Sequence, residues 1–324
     1  MPVRWGIIGC GNVTEVKSGP GFQNARDSSL VAVMRRNAEK ARDYAERHGV
    51  PRWYSNASDL IADPEVDIVS IATPPSTHCE LALQVCAAGK PALVEKPMAA
   101  SWAECRRMVE AFQDAGLPLF VAYYRRALPR FKKVQELLAS GRIGSIRAVS
   151  VRYFAPWRNF DRENLPWRFR PGISGGGLFL DLGSHTLDVL DYLLGPVAAS
   201  AGFASNQGSS YPAEDSVSLA LKLESGALGT GLWQFGADRS EDTIEVQGDR
   251  GRLTFATFGD GPIHLSSGGA DEEFVIPNPT AIQQSLIQTI VDELNGGAPC
   301  PSTGVSAART SRVMEQALWE YYRE

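Results

Sequence analysis

The sequence is short of the features that mark several classes of protein. Its five cysteines are scattered and form no C-x-x-C pair, which argues against a disulfide framework and a zinc site. The formal net charge of -5 argues against a nucleic-acid partner, because no basic surface is available to neutralise phosphates. No signal peptide and no apolar run of roughly 20 residues is present, so we expect a cytoplasmic protein without membrane contact or metal.

The pattern of the first third of the chain is that of a parallel α/β sheet. At 324 residues the chain exceeds the size of one typical core, so two domains are expected. From residue 3 to about 122, β-branched runs alternate with amphipathic segments, as in βαβ units. The predicted strands are Arg4–Ile8, Leu30–Met34, Asp67–Ile71, Ala92–Val94 and Leu119–Ala122, with helices such as Ala38–His48 and Ser101–Ala115 and helix ends at Gly49, Gly89 and Gly116.

The remaining chain has a different pattern, because alternating apolar and polar runs follow one another between Gly-rich turns. This predicts a large, open antiparallel sheet in an α+β domain. The predicted strands are Arg147–Phe154, Ser216–Leu223, Ala227–Phe235, Asp242–Gln247 and Gly251–Phe255, followed by helical stretches at Ala281–Asn295 and Ser306–Tyr322.

A glycine-rich turn, Gly9-Cys10-Gly11-Asn12, directly follows the first strand and opens a helix. In this context a G-x-G turn binds a pyrophosphate at the helix N-terminus, although a simple tight turn is the alternative. Thr14 stands where the fingerprint has Gly or Ala, so the first helix must pack with a branched side chain. We predict a Rossmann dinucleotide-binding domain over residues 1–122, whose loop contacts are Gly9, Gly11, Asn12 and Val13.

Two arginines follow the second strand, where NAD-specific domains usually have an acidic residue for the ribose hydroxyls. Arg35 and Arg36 favour a 2′-phosphate instead, which predicts a preference for NADP, with NAD as the alternative. The alternative interpretation of the two arginines is a solvated helix entry.

Lys96 ends the strand Ala92–Val94 within the run Val94-Glu95-Lys96-Pro97. Open α/β sheets bind ligands at the carboxyl ends of their strands, so Lys96 points to the predicted crevice. Pro97 restricts the preceding residues to an extended form and helps to keep Lys96 out of the next helix. The alternative is an ordinary surface lysine.

The run Gly175–Asp188 contains the other candidate acid–base residues. If it is helical, Asp181, His185 and Asp188 share one face, and an Asp beside a His orients the imidazole for proton transfer. The alternative is a hydrogen-bonded core histidine, which we adopt for His48 and His264. The three glycines of the run indicate backbone crowding rather than a second phosphate loop.

Aromatic and arginine side chains accompany these motifs. Trp157-Arg158 and Trp167-Arg168 precede the glycine run, and Tyr124 follows the last strand of the first domain. Aromatic rings stack on sugar rings and Arg binds hydroxyl or carboxylate groups, so Tyr124, Trp157, Trp167, Arg168 and Asp188 are candidate substrate contacts. Packing at the domain junction is the alternative.

Taken together, four motifs resemble the glucose-fructose oxidoreductase/inositol dehydrogenase (Gfo/Idh/MocA) family in order and spacing along nearly the whole chain. They are the Gly9–Asn12 turn, the Ala72–His78 turn, Glu95-Lys96-Pro97 and Gly175–Asp188. The resemblance implies an NAD(P)-dependent oxidoreductase acting on a CH-OH group of a sugar, inositol or polyol. It also implies a catalytic and oligomerisation domain over residues 123–324, a homodimer or homotetramer through its open sheet, and a C-terminal helix (about 306–322) that can pack back on the first domain.

The resemblance assigns roles to individual residues. Lys96 would polarise or protonate the reacting oxygen, His185 would exchange its proton, and Asp181 would orient the pair and the substrate. Some members have Tyr where this chain has His185, and grouping with the His type favours sugar or inositol dehydrogenation, or keto-sugar reduction. An NAD-using glycoside-processing lyase or hydrolase and a catalytically silent regulator stay open as alternatives. The residues placed along the cofactor are Thr73, Pro74 and His78 at the nicotinamide half and Glu95 near its ribose.

Overall fold

The computed structural model describes residues 2–157, 160 and 163–323. Within them the chain separates into two compact units, and each is described by itself. Unit 1 comprises Met1–Leu128 and Pro279–Ala308, whereas unit 2 comprises Pro129–Asn278 and Arg309–Glu324. Both units are therefore built from two separate stretches of chain.

Unit 1 contains a six-stranded sheet whose neighbouring strands are all parallel, as predicted. The order β3-β2-β1-β4-β5-β6 is that of dinucleotide-binding sheets, and it reverses between β1 and β4, where such sheets bind their ligands. The strand β3 is absent from the sequence-based prediction. The strands are β1 (Val3–Ile8), β2 (Ser28–Met34), β3 (Arg52–Tyr54), β4 (Ile68–Ile71), β5 (Ala92–Val94) and β6 (Leu119–Val121).

Unit 2 contains an eight-stranded sheet in the order β14-β13-β12-β11-β7-β10-β9-β8. All neighbouring pairs are antiparallel except β7 and β10 in the middle, which are parallel, so the predicted open sheet is confirmed and is mixed. The strands are β7 (Ile146–Pro156), β8 (Val197–Ser205), β9 (Ser216–Leu223), β10 (Leu228–Ala237), β11 (Glu241–Gly248), β12 (Gly251–Phe255), β13 (Ile263–Ser267) and β14 (Ala270–Phe274).

Three helices end within two residues of the glycines predicted as their ends, Gly49, Gly89 and Gly116. In α2 (Ala38–His48), for example, the Asn37 side chain accepts a hydrogen bond from Lys40 N, and Gly49 closes the helix at φ 64°. No described helix is long and apolar enough to cross a membrane. The helices are α1 (Gly19–Asn24), α2 (Ala38–His48), α3 (Ala57–Ala62), α4 (His78–Ala87), α5 (Trp102–Asp114), α6 (Pro129–Ala139), α7 (Pro171–Ser174), α8 (Ser184–Leu194), α9 (Gln284–Leu294) and α10 (Gly304–Tyr322).

Candidate functional site

The glycine turn after β1 is fixed at the carboxyl edge of the unit 1 sheet. The backbone N–H groups of Gly9 and Cys10 both donate to Met34 O, at 2.9 and 3.1 Å. Gly9 has φ +92°, and a Cβ there would lie 2.8 Å from Thr73 Cγ2, so this position requires glycine. A Cβ on Gly11 would meet nothing nearer than Gly9 O at 3.8 Å. The turn therefore packs against the loop after β4 and leaves open space above Gly11.

Thr14, the departure from the glycine fingerprint, is accommodated by a wider turn. It begins the π-helical turn Thr14–Ser18, is fully buried, and its hydroxyl donates to Gly11 O at 2.8 Å. Tyr44 of α2 donates its hydroxyl to Thr14 O at 3.0 Å. The branched side chain is thus turned back onto the glycine loop instead of being forced against the sheet.

The two arginines after β2 lie beside this loop. Arg35 is half-buried and its N–H donates to Tyr54 O of β3 at 3.1 Å, whereas Arg36 is exposed. Burial raises the pKa of the Cys10 thiol to about 11, and the positive charge of Arg35 acts in the opposite direction. Arg35 is therefore within electrostatic reach of the glycine turn.

Glu95 and Lys96 follow β5 at the same edge of the sheet. Glu95 N donates to Ile71 O at 2.9 Å, and Lys96 N donates to the Glu95 carboxylate at 3.2 Å. The other carboxylate oxygen of Glu95 accepts a hydrogen bond of 2.9 Å from Gln283 Nε2. Gln283, which is buried just before α9, was missed by the sequence analysis because no local pattern links positions so far apart.

His78 lies behind these loops. Its ring has no exposed surface, and its two nitrogens lie 2.7 Å from Thr73 O and 3.1 Å from Pro97 O. Burial lowers the pKa of His78, so its neutral ring donates one hydrogen to one of these carbonyl oxygens. The ring joins the loop of Thr73 and Pro74 to the loop of Lys96. Its complete burial argues against the predicted contact between His78 and a cofactor.

In unit 2, Asp181 lies in the π-helical turn Phe179–Gly183 that precedes α8. Its carboxylate is 3.4 Å from Arg168 Nε, and the Arg168 guanidinium lies 4.5 Å from the centre of the Trp167 ring. The structure thus brings together three predicted residues from two segments. Because of the π turn, Asp181 is not on a regular helix with His185, so the predicted helical face begins only at α8.

His185 is in the first turn of α8 and is 4% exposed. Its ring centre lies 5.8 Å from that of Phe258 in an edge-to-face arrangement. Asp242 holds the loop of Phe258, since its carboxylate accepts from the N–H groups of Thr257, Phe258 and Gly259. Neither Phe258 nor Asp242 was predicted from the sequence, because the loop after β12 carries no recognisable motif.

The other predicted substrate residues have different surroundings. Asp188 of α8 is fully buried, and Tyr124, in unit 1, is buried with the Arg125 guanidinium 4.9 Å from its ring centre. Trp157 is 44% exposed and covers Gly236 of β10, where a Cβ would lie 2.3 Å from the indole. Arg158 lies outside the described residues.

The glycines before Asp181 are crowded by side chains, as predicted. A Cβ on Gly176 would lie 2.7 Å from Leu180 Cδ1, and one on Gly177 would lie 2.7 Å from Glu214 O. Gly175 closes α7 at φ +83°. The run therefore permits close packing at the start of the segment that carries Asp181 and His185.

Family models match both units of this arrangement. Residues 3–123 match the model described as an oxidoreductase family with an NAD-binding Rossmann fold, and residues 131–254 match the Gfo/Idh/MocA C-terminal domain. The chain is also 37% identical to Oxidoreductase P35 of Formosa agariphila over 318 residues, which cover 97% of each protein. The chain belongs to the Gfo/Idh/MocA oxidoreductase family. It is therefore an enzyme of the dehydrogenase and reductase type.

Other relatives of this Gfo/Idh/MocA oxidoreductase have named activities. The 1,5-anhydro-D-fructose reductase of Ensifer adhaerens is 30% identical over 77% of this chain and 74% of its own length. The trans-1,2-dihydrobenzene-1,2-diol dehydrogenase of Mus musculus is 29% identical over 86% of this chain and 81% of its own length.

Solved structures share the fold of this oxidoreductase over its whole length. The aldose-aldose oxidoreductase from Caulobacter crescentus, complexed with glycerol, is 26% identical, with a TM-score of 0.87 and coverage of 100% of this chain and 98% of that chain. A levoglucosan dehydrogenase in complex with NADH is 23% identical, with a TM-score of 0.86 and coverage of 98% and 96%.

The residues of unit 1 fit the dinucleotide cofactor of the family. The N–H groups of a turn at a helix start bind a pyrophosphate, and the open space above Gly11 leaves room for one. Thr73 and Glu95 follow the strands β4 and β5 at the same edge of the sheet. The Gly9 turn, Thr73 and Glu95-Lys96 thus follow three adjacent strands within one unit.

Proposed function

We propose that this oxidoreductase transfers a hydride between NADP(H) and a hydroxyl or keto carbon of a sugar, inositol or related polyol. The observation that carries the proposal is the carboxyl edge of the unit 1 sheet, where the Gly9 turn, Thr73 and Glu95-Lys96 follow adjacent strands. The relatives that act on 1,5-anhydro-D-fructose and on aldoses support a sugar substrate. NAD(H) is the alternative cofactor.

Each proposed catalytic residue has a separate task. The Lys96 ammonium group donates a hydrogen bond or a proton to the reacting oxygen, and the His185 imidazole exchanges the hydroxyl proton with solvent. Asp181, held by Arg168 at 3.4 Å, orients the substrate hydroxyl groups. The nicotinamide cofactor, when bound, supplies or accepts the hydride.

The cofactor contacts are proposed from the residues at the sheet edge. Asn12 and Val13 present backbone N–H groups to the pyrophosphate, whereas Gly9 and Gly11, whose own N–H groups donate to Met34 O and Thr14 Oγ1, let it approach the backbone closely. Arg35 and Arg36 bind the 2′-phosphate of NADP, Thr73 and Pro74 flank the nicotinamide, and Glu95 binds a ribose hydroxyl. We assign His78 a supporting position, because its buried ring joins the Thr73 and Pro97 carbonyl groups.

Substrate binding is proposed for the half-exposed pair Trp167 and Arg168, which lies next to Asp181. An aromatic face stacks on a sugar ring, and a guanidinium donates to its hydroxyl groups. Tyr124, Trp157 and Asp188 stay predictions from the sequence. We further propose a cytoplasmic homodimer or homotetramer, since the cysteines are free thiols and the unit 2 sheet exposes apolar residues.

The proposal is tested by an absorbance assay at 340 nm with NADP(H) and NAD(H) across aldoses, ketoses, inositols and anhydro-sugars. Lys96→Ala and His185→Ala are expected to lower kcat on the best substrate by about 10²–10⁴ while cofactor affinity stays nearly unchanged. Lys40→Ala and His264→Ala are the matched controls, because both residues are exposed on other elements. No net absorbance change with any compound, or full activity of both variants, would contradict the proposal.

A further inference from the structure

Glu214 is a buried carboxylate that the proposed chemistry does not use. It lies just before β9, and its side chain has no exposed surface. Both carboxylate oxygens accept the backbone N–H of Gly177, each at 2.9 Å, and Oε2 also accepts the Tyr322 hydroxyl at 2.6 Å. Besides burial, the largest influences on this carboxylate are its hydrogen bonds and the like charge of Asp215. A carboxylate buried beside a like charge is costly, so its position calls for a structural reason.

The partner of Glu214 is the start of the segment that carries the proposed acid–base residues. Gly177 lies two positions before the π turn that contains Asp181, and this turn continues directly into α8 with His185. The Glu214 carboxylate binds the N–H of the residue just before Leu178, which is the N-cap of this turn. A negative charge is favourable at this end of a helical segment.

The approach is too close for any residue other than glycine. A Cβ on Gly177 would lie 2.7 Å from Glu214 O, 2.9 Å from Ala213 Cβ and 3.0 Å from Glu214 Oε1. The segment therefore packs directly against the chain before β9. We expect a change in the Glu214 side chain to shift the backbone at Gly177, four residues before Asp181.

The chain at Glu214 is itself held firmly. The carboxylate of the next residue, Asp215, accepts from the N–H groups of Gln207, Gly208 and Ser209 at 2.9 to 3.2 Å. Its backbone N–H donates to Ser205 O at 3.0 Å, at the end of β8. The backbone at Glu214 is thus held by the hydrogen bonds of its neighbour Asp215, and the Glu214 side chain in turn binds Gly177.

We propose that Glu214 is a positioning residue, which fixes the segment bearing Asp181 and His185 by binding its first N–H group. This inference rests on the proposed function, because it gives those two residues their catalytic roles. The carboxylate accepts from two donors, the Gly177 N–H shared by both oxygens and the Tyr322 hydroxyl, so the ionised form binds both. Glutamine keeps one acceptor oxygen and turns its NH₂ group toward the other donor, so the contact of the Gly177 N–H with two oxygens is lost.

The ionisation of Glu214 gives the proposal a second signature. Burial raises its pKa to about 7, while the bonds from Tyr322 and Gly177 act in the opposite direction. The titratable groups that face it are Asp215, Tyr321 and Tyr322. The full set of bonds forms as the pH rises through about 7, so the kcat of the wild type should contain a rise in this range that Glu214→Gln lacks.

The test is hydrogen–deuterium exchange of the full-length protein, with Glu214→Gln compared with the exposed control Glu224→Gln. We expect exchange within residues 177–190 to become about 10-fold faster or more in Glu214→Gln, while the strands of unit 2 keep their protection. Unchanged exchange in this segment, or the same increase throughout unit 2, would overturn the proposal. If Glu214→Gln does not fold, Glu214→Asp replaces it, because the shorter side chain keeps the charge but draws the carboxylate away from the Gly177 N–H; a local increase in exchange supports the proposal and its absence overturns it.

Kinetics provide a separate measurement. With 1,5-anhydro-D-fructose and NADPH, kcat should fall about 10-fold or more in Glu214→Gln, whereas KM for NADPH should change less than about 2-fold. A rise in KM for NADPH as large as the fall in kcat would contradict a positioning role. If the wild type does not reduce this sugar, the substrate assignment fails, and the exchange experiment still decides the role of Glu214.

Discussion

The most direct test of cofactor choice concerns the side chains after β2. Arg35→Ala and Arg36→Ala should each lower kcat/KM for NADPH by about 10-fold or more, because a hydrogen bond to a charged group contributes roughly 1.5–3 kcal/mol. The kcat/KM for NADH should change little, because NADH has an uncharged hydroxyl at the 2′ position where NADPH has a phosphate. Arg42→Ala on α2 is the control, as it removes the same charge from an exposed position. A wild type that prefers NADH would exclude the assignment.

Glu15 predicts a pH dependence of stability. Hydrogen bonding by Arg47 is the largest cause that lowers its pKa to about 2, and His48 adds to it at 2.6 Å. A carboxylate with a lowered pKa stabilises the fold above its unfolded value, and this contribution is lost as the pH falls toward the folded value. Glu15→Gln should therefore cost roughly 0.5–1 kcal/mol near neutral pH.

The difference between wild type and Glu15→Gln should shrink as the pH falls from about 4.5 toward 2, as measured by urea unfolding. Glu110→Gln on the exposed face of α5 is the control and should show no such trend. A difference that does not vary with pH would show that the hydrogen bonds, and not the charge, stabilise this corner.

Residues near a motif were predicted from the sequence more readily than their partners. The Gly9 turn and the Gly175–Gly177 run could be interpreted because glycine marks backbone that is strained or crowded. The partners Gln283, Phe258 and Glu214 could not, since each lies on a distant segment. His48 was interpreted as a structural histidine, and its actual partner, Glu15, is likewise remote in sequence. The same interpretation is wrong for His264, which is exposed and lies 3.2 Å from Glu273 on the neighbouring strand.

At the scale of elements, strong hydrophobic periodicity was sufficient to predict a helix or strand, and weak periodicity was not. The bounds of α2, β5, β9 and β12 were predicted as the structure has them. The edge strand β14 was missed because its residues are mostly acidic, and β8 because it consists largely of Ala, Ser and Gly. The π turn before α8 could not be foreseen, since a pattern with a 3.6-residue period assumes regular helix.

The helix α9 provides a test of how unit 1 is completed by a distant segment. Ile287 has no exposed surface, and a Cβ on Gly21 would lie 2.5 Å from its Cδ1. Ile287→Ala should lower the free energy of unfolding by about 2–5 kcal/mol, because it leaves a cavity. Denaturant unfolding measures this loss, and Ser285→Ala on the same helix is the control. A loss below about 1 kcal/mol would mean that α9 is not needed for the core of unit 1.

At the scale of the whole molecule, both units are assembled from segments that are far apart in sequence. Residues 279–308 belong to the unit built mainly by residues 1–128. A change in sequence pattern along the chain cannot reveal a segment that returns to a unit after a whole intervening domain. The functional division into 1–122 and 123–324 stays a prediction.

The outer face of the unit 2 sheet predicts how copies of the chain associate. Phe203, Leu228 and Leu232 are 69%, 61% and 39% exposed, and Phe203 and Leu232 both pair with Ser218, so they lie in one row. Exposed apolar residues grouped on one face of a sheet are typical of an interface, and a two-fold dimer buries the same residues of both subunits. Leu232→Glu should therefore dissociate the oligomer without unfolding the sheet, because the new carboxylate lies beside Arg152 on β7.

Sedimentation velocity at micromolar concentration measures this effect, with the wild type expected as a dimer or tetramer and Leu232→Glu as a monomer. Val275→Glu is the matched control, since Val275 is 71% exposed but lies after β14, outside this row. An unchanged oligomer in Leu232→Glu would place the interface elsewhere. The expected assembly rests on the burial of Phe203 and Leu232 between two copies. A monomeric wild type would therefore show that this face does not associate with a second copy.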